Sequence, residues 1–244
     1  MQIEEQPAFL IHSRKYTDSR IIIELLTRDF GRVSGVLRQG GKSSRQAKIQ
    51  PFTSLLVNWK GNGALKTVTH KEALAAPIQL LSGSLFCGLY LNELLLRSLP
   101  LEDNCDSVYR LYHKTISLIS SFDYDEEKYC IEAALRKFEF ALLTELGFGV
   151  DFYSDIQQEE IVRGSERFYR FIEGEGFMRV VVECDHGDGG IVKSGSLFPS
   201  DVIVALREER FDESILKYAK YFCRQALRPL IGEKPLNTRA LFTR

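Results

Sequence analysis

The amino-acid sequence predicts an α+β protein: an N-terminal β-barrel, then an all-helical domain carrying a small inserted α/β subdomain. Three observations lead there. Short β-branched and aromatic runs separated by turn residues fill roughly the first eighty positions. From Ser82 the apolar period becomes that of helices, and a hairpin-like stretch interrupts the helical region before its last member. With 44% hydrophobic and 27% charged residues, the composition is that of a folded globular chain.

Residues 8–13, 20–27, 31–38, 52–60 and 64–75 read as strands, rich in Ile, Val, Leu, Thr and Phe. Asp29-Phe30-Gly31 makes a tight connection, and Gly61-Asn62-Gly63 is a hairpin signal. Five strands in about seventy residues, with one long basic loop, fit a small closed barrel of the OB type. Pro77 ends the β region. Leu85, Leu89, Leu91, Leu94, Leu95 and Leu96 then lie on a helix stopped by Pro100. Val108, Leu111, Tyr112, Thr115, Ile116 and Ile119 repeat on a second helix. A third, 126–146, carries Ile131, Leu135, Phe138, Leu142 and Leu146 on one face and stops at Gly147. Residues 169–173 and 177–184 form a hairpin around Gly174-Glu175-Gly176, 200–209 a short capped helix, and 214–230 the last helix, ended near Pro229. The expected division is therefore 1–80 for the barrel, 81–150 with 200–234 for the helical domain, 151–199 for the insertion, and 235–244 for a polar, partly packed tail.

Charge is segregated along a chain whose net charge is only −1. Residues 12–48 hold nine Lys/Arg against three acids, and 214–244 hold seven against one. Between them, 93–132 hold four cations against nine acids, and 151–213 seven against fifteen. The sharpest feature is the loop 37–48, in which Arg38, Lys42, Arg45 and Lys48 meet no acid and are spaced by Gly and Ser. Mobile cations with little bulk between them suit a polyanion, whose phosphates they can follow.

Several chemistries are disfavoured by spacing. Gly41-Lys42-Ser43 resembles a phosphate loop, but the required first glycine falls at Val36, with Gly35 one place early, and a strand follows in place of a helix. No Cys-x-x-Cys occurs, and Cys184-Asp185-His186 lacks partners at zinc spacing. No serine or cysteine has a nucleophile's context, and His12 in an apolar strand reads as structural. Neither a catalytic constellation nor a cofactor is expected, nor a membrane span. The N-terminus lacks the basic start and apolar stretch of a signal peptide. Five scattered cysteines point to reduced thiols and a cytoplasmic setting.

Arg14, Arg32, Arg38, Lys42, Arg45 and Lys48 are the candidate nucleic-acid contacts, all within the barrel segment. Tyr16, Phe30, Phe52 and Trp59 are the aromatics available for stacking on bases, although strand alternation sends some of them into the core, Trp59 as half-buried packing. Arg136 and Lys137 border an apolar helical face. On the residues alone they fit either a pocket for an acidic peptide ending in an aromatic or the ordinary surface cations of an amphipathic helix.

Taken together, several segments resemble the RecO family of DNA-repair proteins. Ala8-Phe9-Leu10-Ile11-His12-Ser13-Arg14, Leu26-Thr27 with Gly31-Arg32, and Gln50-Pro51-Phe52-Thr53 are similar to its N-terminal domain. Gly88-Leu89-Tyr90-Leu91-Asn92-Glu93-Leu94-Leu95 resembles its first long helix. Leu135-Arg136-Lys137-Phe138-Glu139 through Leu146-Gly147-Phe148-Gly149-Val150 resembles its central helix, and Arg228-Pro229-Leu230 with Gly232 to Arg239 its C-terminal stretch. The resemblance implies an OB fold and a recombination mediator that binds single- and double-stranded DNA and anneals complementary strands. It implies work with RecR to load RecA onto strands coated by the single-stranded-DNA-binding protein SSB, whose acidic, Phe-ended tail Arg136 and, beside it, Lys137 would contact. Such a protein would be cytoplasmic and nucleoid-associated. Many relatives carry a four-cysteine zinc site after the central helix. Residues 150–163 here hold no cysteine, which suits the zinc-free branch. An RNA-binding OB-fold protein is the alternative that composition and loop fit equally well.

Overall fold

A computed structural model describes residues 1–38, 49–181 and 197–243 of the chain. Strands β1 (Gln2–Thr17), β2 (Arg20–Thr27), β3 (Gly31–Arg38), β4 (Ser54–Lys60) and β5 (Leu65–Ala73) close into a barrel in the order β1-β2-β3-β5-β4. All pairs are antiparallel except β3 with β5, and β1 closes the ring by pairing with both β2 and β4. That double duty explains why β1 runs well beyond the expected 8–13. Its polar flanks carry no apolar run, yet β4 holds the backbone of the first flank and β2 that of the second. Irregularities at Ile3/Gln6, Leu10/His12 and Lys15/Thr17 bend the strand around the barrel.

The barrel interior is filled by Leu10, Ile23, Leu25, Val33, Leu37, Leu55, Val57 and Trp59, among others. Trp59 is only 1% exposed, more deeply packed than the half-burial expected for it, and Phe30 meets its ring edge-on at 5.4 Å. The helices that follow are α1 (Ser82–Ser98), α2 (Asp106–Ser120) and α3 (Lys128–Glu145). By compactness the chain divides into two units, residues 1–131 with 230–244, and residues 132–229.

In the first unit the helices cover one outer side of the barrel. Phe9, on the outer face of β1, packs against Tyr109 and Tyr112 of α2 at 5.3 and 5.1 Å. Gly88 lets α1 come close, since a Cβ there would lie 2.4 Å from Leu80 and 2.8 Å from the Phe52 ring. The α1–α2 connection docks on the start of β3. Glu102 N donates to Arg32 O at 2.8 Å, and the buried Lys66 ammonium pairs with the Glu102 carboxylate at 2.8 Å. The segment after Pro235, expected as a polar tail, forms a short 3-10 helix (Asn237–Thr243) fastened to α1, with Leu236 buried.

The second unit holds most of α3, the strands β6 (Phe168–Ile172), β7 (Gly176–Val180) and β8 (Phe198–Pro199) in the order β7-β6-β8, and helices α4 (Ser200–Arg207) and α5 (Glu213–Ala226). A short helix α6 (Arg228–Ile231) follows. The core of this unit is aromatic. Phe222 of α5 sits 4.9 Å from Phe171 and 5.3 Å from Phe140, with Phe152 and Phe177 around it. Asp212 caps α5 by accepting the amides of Ser214 and Ile215. Among the described residues, no helix is long and apolar enough to cross a membrane.

Candidate nucleic-acid interface

The β1–β2 hairpin and the end of β3 bring cations to one end of the barrel. Register places Arg14 opposite Ile22, and Arg20 directly opposite both Thr17 on β1 and Arg38 on β3. Arg14, Arg20 and Arg38 are exposed, and among the described residues none of them makes an ion pair. Lys15, beside them, is paired with Asp18 at 2.7 Å. Arg38 also borders a cavity of about 740 Å³ at the barrel mouth, with an apolar floor of Leu37, Ile49, Leu55 and Val68. Lys71 on its rim has its ammonium held below the ordinary lysine range by burial.

Arg32, on the same face of β3, behaves differently. Its Nη1 lies 3.2 Å from Glu24, its Nε donates to Leu99 O at 2.9 Å, and its side chain is 18% exposed. Ser34 donates to the same Glu24 carboxylate at 2.7 Å. Arg32 therefore holds the α1–α2 connection and neutralises Glu24, which leaves Arg14, Arg20 and Arg38 outside any ion pair of the described residues. Lys42, Arg45 and Lys48 lie outside the described residues. His12, expected as a structural side chain in an apolar strand, is exposed opposite Glu24, because the irregularity after Leu10 shifts the alternation of β1.

Of the four candidate stacking aromatics, Trp59 and Phe52 are buried and Phe30 is packed on Trp59. Tyr16 is 54% exposed at the hairpin end, in the irregularity between Lys15 and Thr17. Sequence reading gave Arg20 no special place among the barrel cations. Its significance appears only when register sets it against Arg38.

On α3, Arg136 and Lys137 diverge. The Arg136 side chain is 9% exposed, and its Nη2 lies 2.8 Å from Glu139, which is fully buried. Beside this pair, burial first and then the Glu139 carboxylate push the Cys223 thiol well above its ordinary range. Lys137 is half exposed and lies 3.5 Å from Glu209. Arg136 is thus nearly buried in an ion pair, and Lys137 sits outside on the surface.

The loop after α3 is closed by its own carboxylates. Asp151 there accepts Tyr153 N at 2.7 Å, and Asp155 accepts Gln157 N and Glu159 N at 2.9 and 3.0 Å, so carboxylates close the turn. Among the described residues, no group of three or more His, Cys, Asp and Glu is placed to hold a metal ion.

Fold and surface define an OB-barrel protein joined to helices, with uncompensated arginines on one barrel face. Comparison with known proteins gives the particular family. Residues 1–77 match the family described as Recombination protein O N terminal, and residues 83–240 match Recombination protein O C terminal. The chain is 38% identical over 247 residues to the DNA repair protein RecO of Psychromonas ingrahamii, covering 100% of this chain and 99% of that one. It is 36% identical over 239 residues to the DNA repair protein RecO of Coxiella burnetii, covering 97% and 96%. For that of Actinobacillus succinogenes the figure is 35% over 241 residues, covering 97% and 94%. The chain belongs to the RecO family of DNA repair proteins.

Proposed function

We propose that this protein is a recombination mediator that works by binding and not by chemistry of its own. It holds single- and double-stranded DNA on the outer face of β1, β2 and β3, and it anneals complementary strands. With RecR, it helps load RecA onto SSB-coated strands in the cytoplasm, associated with the nucleoid. The observation that carries this reading is the exposed group of Arg14, Arg20 and Arg38, which no acid of the described residues neutralises. A strand brought to that surface exchanges condensed counterions for guanidinium contacts, and screening lets a second strand approach without ATP. Lys42, Arg45 and Lys48, which follow in sequence from Arg38, extend the same charge. The SSB tail would bring its terminal carboxylate to the small exposed part of Arg136, with Lys137 meeting its acidic residues outside.

A fluorescence annealing assay with SSB-coated complementary strands, run without ATP, tests the whole reading. The protein should accelerate annealing over SSB-coated strands alone. Arg136→Lys should lose binding to the isolated tail peptide, because an ammonium lacks the planar fork, while binding of naked DNA stays intact. No acceleration by the unaltered protein would sink the mediator role. Equal loss of peptide and DNA binding would mean the peptide site is misassigned. A clear preference for RNA over a matched DNA oligomer would replace DNA repair with RNA binding as the activity of this face.

A further inference from the structure

We propose that Arg20 and Arg38 form a clamp for a single backbone phosphate, and that the unliganded clamp stores a like-charge repulsion which the bound anion relieves. The proposal rests on the DNA-binding reading above and gives that face its contact chemistry.

The geometry is a row across three strands. Thr17 on β1 pairs with Arg20 on β2, and Arg20 pairs with Arg38 on β3. Residues directly opposite on adjacent strands share a face, with Cβ atoms roughly 4.5–5.5 Å apart. Two exposed arginines therefore project from directly opposed positions on one face, with a hydroxyl as the third member of the row. Like charges placed directly opposite destabilise a sheet, so a row serving only the barrel gains nothing from this pair. No described acid pairs with either arginine, and Glu72, which lines the same cavity as Arg38, lies 3.8 Å from His70. Glu24 holds Arg32 and Ser34, and Asp18 holds Lys15. The segment 39–48, which continues from Arg38, contains no acid. A phosphodiester offers one negative charge on two non-bridging oxygens, and each guanidinium presents a planar fork of donors. One phosphate between two forks satisfies both cations at once.

The test uses the full-length protein with Arg20→Thr, Arg38→Thr and the double variant, threonine being at home in a strand. Thermal melting is followed with and without inorganic phosphate, ionic strength being held constant with chloride. Single-stranded oligonucleotide affinity is measured in parallel. Without phosphate, each single variant should melt at or above the temperature of the unaltered protein. Phosphate should raise the melting temperature of the unaltered protein and of neither variant. Each single substitution should weaken oligonucleotide binding about tenfold, as for one lost charge-assisted contact. The double variant should be little worse than either single, because both arginines serve one phosphate. Single variants that melt lower without phosphate would overturn the stored repulsion, and with it the clamp. Losses that multiply to about a hundredfold in the double variant would place the arginines on separate phosphates and overturn it as well. If the unaltered protein bound no oligonucleotide but still gained an arginine-dependent phosphate effect, the clamp would stand as an anion site and the DNA reading would fall.

Discussion

Arg32 and Arg38 lie on the same face of one strand, yet one is tied to Glu24 and Leu99 while the other stands clear. Sequence reading placed both in one cationic group, with Arg38 in the acid-free stretch 37–48. It had no means of separating them, because the partner of Arg32 comes from β2 and its second acceptor from the end of α1. The burial of Arg136 is not legible for a related reason: Glu139 is one helical turn away, and only tertiary burial turns that neighbour into a shielded ion pair. Tyr16 is the aromatic that remained at the surface when Trp59 and Phe52 went into the core, and it stands at the same hairpin end as Arg14 and Arg20. A ring in that place can stack on an unpaired base, whereas a base inside a duplex is already stacked. Tyr16→Ala should therefore weaken single-strand binding by about 1 kcal/mol or more and leave duplex binding nearly unchanged. Fluorescence anisotropy with matched single- and double-stranded oligomers gives both values. Equal loss on the two would assign Tyr16 to the hairpin's shape and not to bases.

At the scale of elements, what was legible followed local patterning. Alternation located β2 and β3, and the helical period located α1, α2 and α3, because each buries one regular face. The short β8 and the ends of β1 were not legible, since their pairing partners and not their side chains make them strands. The β2–β3 turn shows how tightly elements then fit. Gly31 has φ +61°, and a Cβ there would lie 1.7 Å from Asp103 O in the α1–α2 connection. The C-terminal 3-10 helix is the least readable element, because it depends on a clamp built by α1. Glu93 accepts from Asn237 N and Thr238 N, each at 2.8 Å, and from both their side chains, while Arg97 donates to the carbonyls of Ile231, Lys234 and Pro235. Burial pushes the Glu93 carboxyl upward, but the Thr238 and Asn237 hydrogen bonds and the Arg97 charge outweigh it and leave the group below its ordinary value. A depressed carboxyl stabilises the folded form above its unfolded pKa, and that contribution is lost as pH falls through the folded value. Protection of the Asn237 and Thr238 amides from hydrogen exchange should therefore be full near neutrality. It should collapse below the ordinary glutamate range of about 4.3, ahead of the barrel strands. Glu93→Gln should remove most of that pH dependence, and amides that open together with the barrel would show the clamp to be incidental.

Over the whole molecule, a net charge of −1 and an isoelectric point near 6.5 describe neither basic end of the chain nor its acidic middle. If net charge governed association, a polyanion would be repelled at any pH above that point. Phosphate contacts are local, however, and beyond about 10 Å at 0.1 M salt the acids elsewhere are largely screened from them. The cations concerned are arginines, which keep their protons throughout the usable range. Binding of a single-stranded oligonucleotide at 0.1 M salt should therefore persist from pH 7 to pH 8.5, although the protein becomes more negative across that interval. The slope of log affinity against log salt should stay constant within about one unit, since the same phosphates are contacted and the same counterions released. The comparison is a titration series at several salt concentrations for each pH. Affinity that collapsed in step with net charge would show that the arginine face has no privileged contact with the strand. A slope that fell by several units would show that groups titrating in this range, and not Arg14, Arg20 and Arg38, hold the DNA.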